Sequence, residues 1–385
     1  MSEPIVISAF ARTPVGSFMG QLAGFKATEL GSVAVRATLQ RAGVDPAKIE
    51  QIVMGCVLSA GLGQAPARQA GLGAGLPDSV AATTVNKMCG SGLQAVMLAA
   101  DIIAAGSASL IVAGGMESMS NAPYLLAKHR AGARIGHDRV IDSLYLDGLE
   151  DAYEPGKLMG AFAEEAVLEY RFSRQDQDAF ALESLNRARA AQTTGSFAAE
   201  IAAVGAFDAD ETPLRAKPER IATLKPAFAA NGTITAANSS SISDGAAALL
   251  IARASTAQAL NLPVAARIVA HATHAHAPRL FTTAPVPAIR KLLAMAGWTV
   301  DDVDLFEVNE AFAAVAMIAA QDLCIPRAKL NVNGGACALG HPIGASGARI
   351  LVTLLAALQA RDLKRGVAAL CIGGGEAVAL AVERD

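Results

Sequence analysis

The stretch Ile111-Val112-Ala113-Gly114-Gly115-Met116-Glu117 has a counterpart near the far end of the chain, Cys371-Ile372-Gly373-Gly374-Gly375-Glu376. In both, a short apolar run (109–113 and 367–372) reads as a buried strand that stops at glycines. A second pair of segments agrees. Thr84-Val85-Asn86 precedes Cys89, and Asn331-Val332-Asn333 precedes Gly334-Gly335. Between these points apolar runs alternate with helical periodicities: strands at 4–9, 51–54, 266–270 and 302–308, helices at 27–42, 288–296 and 345–358, and a helical spacing of Leu93, Val96, Ala100 and Ile103. Such alternation predicts α/β layering with mostly parallel pairing. The agreement of element order with local sequence reads as two copies of one α/β unit of about 120 residues, the size of a single domain. Residues 119–243 match neither copy and read as an insertion, with a helical stretch over 160–192; long insertions are often lids or contact surfaces.

Composition narrows the class. The chain has 385 residues, is 52% hydrophobic and 17% charged, and carries a formal net charge of -3. At roughly 100–200 residues per domain, this length predicts two or three domains. The balance excludes a disordered chain and provides no basic field for nucleic acid. No apolar run approaches the roughly 18–20 residues of a membrane span, and the first residues read as a strand rather than a basic leader. The five cysteines, Cys56, Cys89, Cys324, Cys337 and Cys371, are odd in number and form no CxxC pair. That is neither a disulfide framework nor a zinc site, and it predicts a reducing cytoplasm.

Four places carry chemistry. Cys89, in Asn86-Lys87-Met88-Cys89-Gly90-Ser91-Gly92, precedes the Leu93 helix. Free backbone N–H groups and the helix dipole favour a thiolate there, so a lowered pKa is expected; the alternative is a buried structural cysteine. His341 lies in Gly340-His341-Pro342, where proline disfavours helix and places the imidazole on a turn. A Cys–His pair activates a thiol, although Gly-His-Pro alone suits a solvated loop equally. Cys371 ends a strand at three glycines, which let N–H groups point at a ligand as an oxyanion hole requires. A small core residue is the competing reading. Asn309, in Asn309-Glu310-Ala311-Phe312, reads as a helix N-cap or as an amide holding a water or a carbonyl. His271, His274 and His276 cluster without a carboxylate or cysteine beside them, so no metal is expected.

Taken together and in this order, the Cys89, Asn309-Glu310-Ala311-Phe312, Gly340-His341-Pro342 and Cys371–Gly375 motifs resemble the thiolases over essentially the whole chain. The resemblance implies a duplicated five-layer αβαβα fold: an N-terminal half of residues 1–118 plus 244–264, an inserted loop domain of 119–243 for substrate and coenzyme A binding and for oligomerisation, and a C-terminal half of 265–385. It implies a cytoplasmic acyltransferase that condenses two acetyl-CoA to acetoacetyl-CoA and CoA, or reverses this, through an acyl-cysteine. Coenzyme A thioesters are then substrates, and no cofactor is needed. Cys89 resembles the acylated nucleophile, His341 its activating base, and Cys371 the acid/base for the α-proton. Asn309 (through a water) and His341 resemble one oxyanion hole, and the N–H groups of Cys89 and Gly373 the other. Leu149, Met159, Arg215, Phe228, Ala236, Ser240, Phe281, Ala311 and Phe312 fall at substrate- or coenzyme-contacting positions. A homotetramer or homodimer is implied, with 123–142 as the tetramer-forming loop.

The substrate-loop motif, His-Met-Gly in short-chain members, is Leu158-Met159-Gly160 here, and Phe281 stands where methionine is usual. These departures leave the chemistry intact and leave acyl-chain length and 2-methyl branching open, including a broader-range 3-ketoacyl-CoA thiolase. A ketoacyl synthase would replace Cys371 by His or Asn. A non-catalytic acyl-CoA-binding paralogue would lack one of Cys89, His341 and Cys371. A papain-like hydrolase would show a CGSCW-type signature.

Overall fold

Alternating apolar residues build one ten-stranded sheet in the computed structural model, which describes residues 3–385. The first half of the chain supplies β1 (Ile5–Arg12), β2 (Gln51–Gly55), β3 (Ala81–Val85), β4 (Leu110–Ser118) and β5 (Ser243–Arg253). The second supplies β6 (Ala266–Ala275), β7 (Leu305–Val308), β8 (Arg365–Ile372) and β9 (Glu376–Glu383). The order is β7-β8-β9-β6-β1-β5-β4-β2-β3, and Gly16–Ser17 pairs with β5 off this path. The halves join where Ile5, Val6 and Ile7 face Ile268, Arg267 and Ala266.

The expected parallel majority is not found. Only β2 with β3, β2 with β4, and β7 with β8 are parallel. The sequence reading missed β3, β5 and β9 as strands. β9 returns from β8 through a three-residue glycine turn, and a tight hairpin pairs antiparallel. β5 runs antiparallel to both β1 and β4.

Side-chain alternation separates the layers. Ile52 and Met54 face an outer layer with α1 (Ala27–Ala42) and α2 (Pro66–Ala74). Val53 faces a central layer with α3 (Ser91–Ala104). In the other half Ala368 and Leu370 face that same central layer, while Val367 and Ala369 face the opposite outer one. This arrangement is the αβαβα stack. The insertion holds α4 (Met159–Tyr170) and α5 (Arg174–Thr193) rather than one long helix. Arg171 takes a left-handed φ of 55°, and Ser173 and Asp176 form a reciprocal capping box that restarts the chain as α5. The second outer layer is α6 (Pro285–Ala296) and α7 (Ala313–Leu323). The central layer closes with α8 (Ser346–Ala360), buried from Ser346 to Leu358, with Ser346, Arg349 and Thr353 the polar positions in that otherwise apolar stretch.

Candidate active site

The turn after β3 is clamped before it reaches Cys89. Met88 takes a left-handed φ of 46°. Its N–H donates to Asn86 Oδ1 at 3.0 Å, the Lys87 N–H donates to Ser91 Oγ at 2.8 Å, and that hydroxyl donates to the Met88 carbonyl at 2.6 Å. Cys89 therefore sits at the crest of a tight turn just ahead of α3. Its sulfur is met by the N–H groups of Gly373 and of Cys89 itself. Burial outweighs both and pushes the thiol up to about 11. The lowered pKa expected from the helix start is thus overturned, because desolvation of a half-buried thiolate inside the cavity exceeds what two N–H groups return.

His341 enters the same cavity from the other half. Gly340, at φ 106°, makes the preceding turn; a Cβ there would lie 2.1 Å from Ser243 Oγ. The imidazole is buried, with Nδ1 2.5 Å from Ser346 Oγ. Ser346 gives its own proton to the Pro342 carbonyl at 2.9 Å. The hydroxyl must therefore accept from Nδ1–H, which leaves Nε2 with a bare lone pair and no protein partner. Burial, followed by the nearby Arg349 charge, lowers His341 to about 3. At neutral pH the pair rests as thiol and neutral imidazole.

Cys371 ends β8. Burial and then the proximity of Cys89 raise its thiol well above the ordinary value. Gly375, at φ 84°, would place a Cβ 2.5 Å from the His276 carbonyl. The glycine turn thus presses against the backbone beyond β6, and the Gly373 N–H is left facing Cys89. Asn309 is not a helix N-cap, since α7 begins at Ala313 with Phe312 as its cap. The Asn309 N–H instead donates to the Ala369 carbonyl, extending the β7–β8 ladder by one residue. Both ends of its buried amide lack a protein partner.

One cavity of about 810 Å³ is lined by Cys89, His341, Cys371 and Gly373, together with Leu149, Met159, Phe228, Ser240, Phe281, Ala311 and Phe312. Behind it Glu117, fully buried, accepts from the N–H groups of Val57 (3.0 Å), Leu58 (3.2 Å) and Gly344 (2.9 Å). One carboxylate thereby ties a first-half loop to the His341 loop.

Two thiols and an imidazole, Cys89 from the first half and His341 and Cys371 from the second, thus share a single cavity. The family model "Thiolase, N-terminal domain" matches residues 5–255, and "Thiolase, C-terminal domain" matches residues 262–384. The chain belongs to the thiolase family. It is 49% identical over 394 residues to the acetyl-CoA acetyltransferase of Cupriavidus necator, covering 100% of both chains. It is 49% identical over 390 residues to acetyl-CoA acetyltransferase 2 of Arabidopsis thaliana, covering 98% of this chain and 96% of the other. A crystal structure of a thiolase from Ascaris suum in complex with coenzyme A superposes with a TM-score of 0.95 at 39% identity, covering 100% of both.

Within this thiolase fold, several residues fall outside the cavity. Arg215 does not line it; its side chain is 67% exposed and pairs with Glu211. Ala236 is exposed and also lies apart from it. His271 bonds Asp101 at 3.0 Å, His276 bonds the Leu280 carbonyl at 2.8 Å, and among the described residues no His/Cys/Asp/Glu group is placed to hold a metal. No helix among the described residues is long and apolar enough to cross a membrane. Sequence reading passed over Tyr145, Leu146, Tyr153 and Ile343 in the cavity wall, and Ser346 and Glu117 behind it. Ser346 follows His341 by five residues, a spacing no helical or strand rule marks. Gly160 lets the Phe228 ring approach: a Cβ there would lie 2.4 Å from it.

Proposed function

We propose that this protein is an acetyl-CoA C-acetyltransferase of the cytoplasm. The observation that carries the reading is the convergence of Cys89, His341, Cys371 and the Gly373 N–H on one cavity, in a chain with a thiolase fold that matches acetyl-CoA acetyltransferases over its full length. His341 Nε2 takes the Cys89 proton, and the sulfur attacks the acetyl thioester carbonyl. The C–S bond to coenzyme A breaks, and Cys371 protonates the departing thiolate. Cys371 then removes the α-proton of a second acetyl-CoA, with the developing oxygen anion held by Asn309 (through a water) and His341. The carbanion attacks acetyl-Cys89, whose tetrahedral oxygen is held by the N–H groups of Cys89 and Gly373. Collapse expels the Cys89 thiolate and releases acetoacetyl-CoA. Fixed donors of this kind are typically worth several kcal/mol, and the covalent intermediate divides one difficult condensation into two steps.

Leu158, Met159, Phe281 and Phe312 give the cavity an apolar wall, which keeps a broader-range 3-ketoacyl-CoA thiolase as the alternative reading. The exposed Tyr124, Ile135 and Val140 around the small Tyr124–Leu125 and Ile141–Asp142 hairpin support a homotetramer through 123–142; light scattering checks the mass. The test of the activity is thiolysis of acetoacetyl-CoA by wild type, Cys89→Ala and Cys371→Ala. Both variants lose turnover, and only Cys371→Ala still becomes acylated. Full activity of Cys89→Ala sinks the mechanism.

A further inference from the structure

The central layer carries a row of buried charge that the acyl-transfer steps do not use. It begins at Arg12, which bonds Asp210 at 2.7 and 2.9 Å and Glu200 at 2.6 Å. Glu200 also accepts from Thr353 Oγ1 at 3.1 Å. Thr353, Arg349 and Ser346 occupy successive turns of α8, and Ser346 is the partner of His341. The row therefore leads from the insertion to the active site.

Arg349 is unlike Arg12. It is 2% exposed, yet its Nε, Nη1 and Nη2 meet no acceptor in the protein. The one carboxylate within ion-pair distance is Glu307, 3.8 Å away. Glu307 Oε1, Glu200 Oε2 and both ends of the Asn309 amide are also buried and unpartnered. Glu307 and Asn309 lie two residues apart on β7 and its one-residue extension, hence on one face. A planar guanidinium normally earns its burial through bidentate contacts, and none exists here. Such donors and acceptors are instead the kind that ordered interior water bridges.

We propose that Arg349 is an electrostatic positioning residue for the oxyanion hole of Asn309 and His341: its buried charge, linked to Glu307 and Asn309 through interior water, stabilises the enolate-like thioester oxygen without touching substrate. This rests on the acyl-transfer reading above. The charged groups around it are Glu307 and Glu310 at the end of β7, Glu200 and Arg12 beyond Thr353, and His341 ahead of α8; Arg187 faces Glu307 from α5. Burial pushes Glu307 up to about 8, so at neutral pH it keeps its proton and leaves the Arg349 charge standing. The same charge helps hold His341 neutral.

The test uses the full-length protein with Arg349→Met, Arg349→Lys and Glu307→Gln. The readouts are deuterium exchange into the methyl group of acetyl-CoA, acylation of Cys89, and the pH profile of thiolysis. Arg349→Met slows exchange about tenfold or more while acylation persists, and its acid limb moves up towards the ordinary histidine value of about 6.5. Arg349→Lys restores most of the exchange. Glu307→Gln replaces one neutral group by another and loses less than about threefold. Unchanged exchange and an unmoved acid limb in Arg349→Met overturn the inference. So does a Glu307→Gln protein that loses about tenfold or more of the wild-type exchange, which reveals an ordinary ion pair; this arm is read against wild type and decides even where Arg349→Met does not fold. A wild type that neither acylates nor exchanges condemns the acyl-transfer reading instead.

Discussion

Gly92 and Gly347 hold α3 and α8 at backbone contact. A Cβ on Gly92 would lie 2.7 Å from the Ala348 nitrogen, and one on Gly347 would lie 2.4 Å from the Leu93 nitrogen. Each glycine sits near the start of its helix, and the contact is reciprocal between the two halves of the chain. Cys89 and His341 precede these helix starts, so this crossing sets how closely the nucleophile and base approach. Gly92→Ala and Gly347→Ala each force the helices apart, at a cost of about 1–3 kcal/mol of stability. Acylation of Cys89 slows more than the thermal midpoint alone explains. Unchanged acylation in either variant refutes this coupling.

Reactivity of Cys89 in the free enzyme follows its raised pKa of about 11. Only the thiolate is alkylated. The iodoacetamide rate therefore climbs about tenfold per pH unit from about pH 7 towards pH 10, with no plateau near neutrality. A plateau below about pH 8 contradicts a resting thiol.

Ser346 fixes which nitrogen of His341 carries the proton. In Ser346→Ala the Nδ1–H loses its acceptor, and the base tautomer is no longer held. General-base catalysis is typically worth 10²–10⁴-fold, so a roughly tenfold or larger loss in kcat, with KM little changed, is expected. Steady-state thiolysis beside Ser346→Thr, which keeps the hydroxyl, separates this from loosened packing.

Glu117 is buried, and its carboxyl is pushed up to about 7. Its folded pKa exceeds the unfolded value of about 4.3. Its contribution to stability is therefore full below that unfolded value and is lost as pH rises through about 7. Glu117→Gln removes this pH dependence. It also turns an N–H donor towards the N–H groups of Val57, Leu58 or Gly344, which costs about 1–3 kcal/mol. Thermal midpoints measured from about pH 5 to pH 8 show the mutant less stable at the acid end and catching up towards the alkaline end. A constant difference argues for a Glu117 ionised throughout.

Phe281 lines the cavity, 2% exposed and tilted edge-on to Phe312 at 6.2 Å, and under the proposed reaction it limits the acyl chain. Phe281→Ala opens the cavity there. Each methylene accommodated is worth about 1–3 kcal/mol, so kcat/KM for a C6 3-ketoacyl-CoA rises relative to acetoacetyl-CoA by about tenfold or more. An unchanged ratio places the chain-length limit elsewhere.

The layered α/β class was legible in the chain itself, as were several of the residues that line the cavity. Glycine-ended strands, helical spacing and an isolated thiol or imidazole beside glycines are local signals, written within a few residues of one another. Long-range relations decided the rest. β5 and β9 turned the sheet largely antiparallel because strand direction depends on what lies beside a strand, not on its own sequence. Asn309 left its expected N-cap role because the β7–β8 ladder captured its N–H before α7 began. The Cys89 pKa rose rather than fell because burial is a property of the surrounding fold, while the helix start is a property of the segment. Arg215 was placed by resemblance in a stretch whose length differs, and it folded against Glu211, away from the cavity. Ser346, Glu117 and Arg349 carry no pattern of their own. Their partners lie on other turns or in the other half of the chain, and only packing the two copies face to face gives them a role.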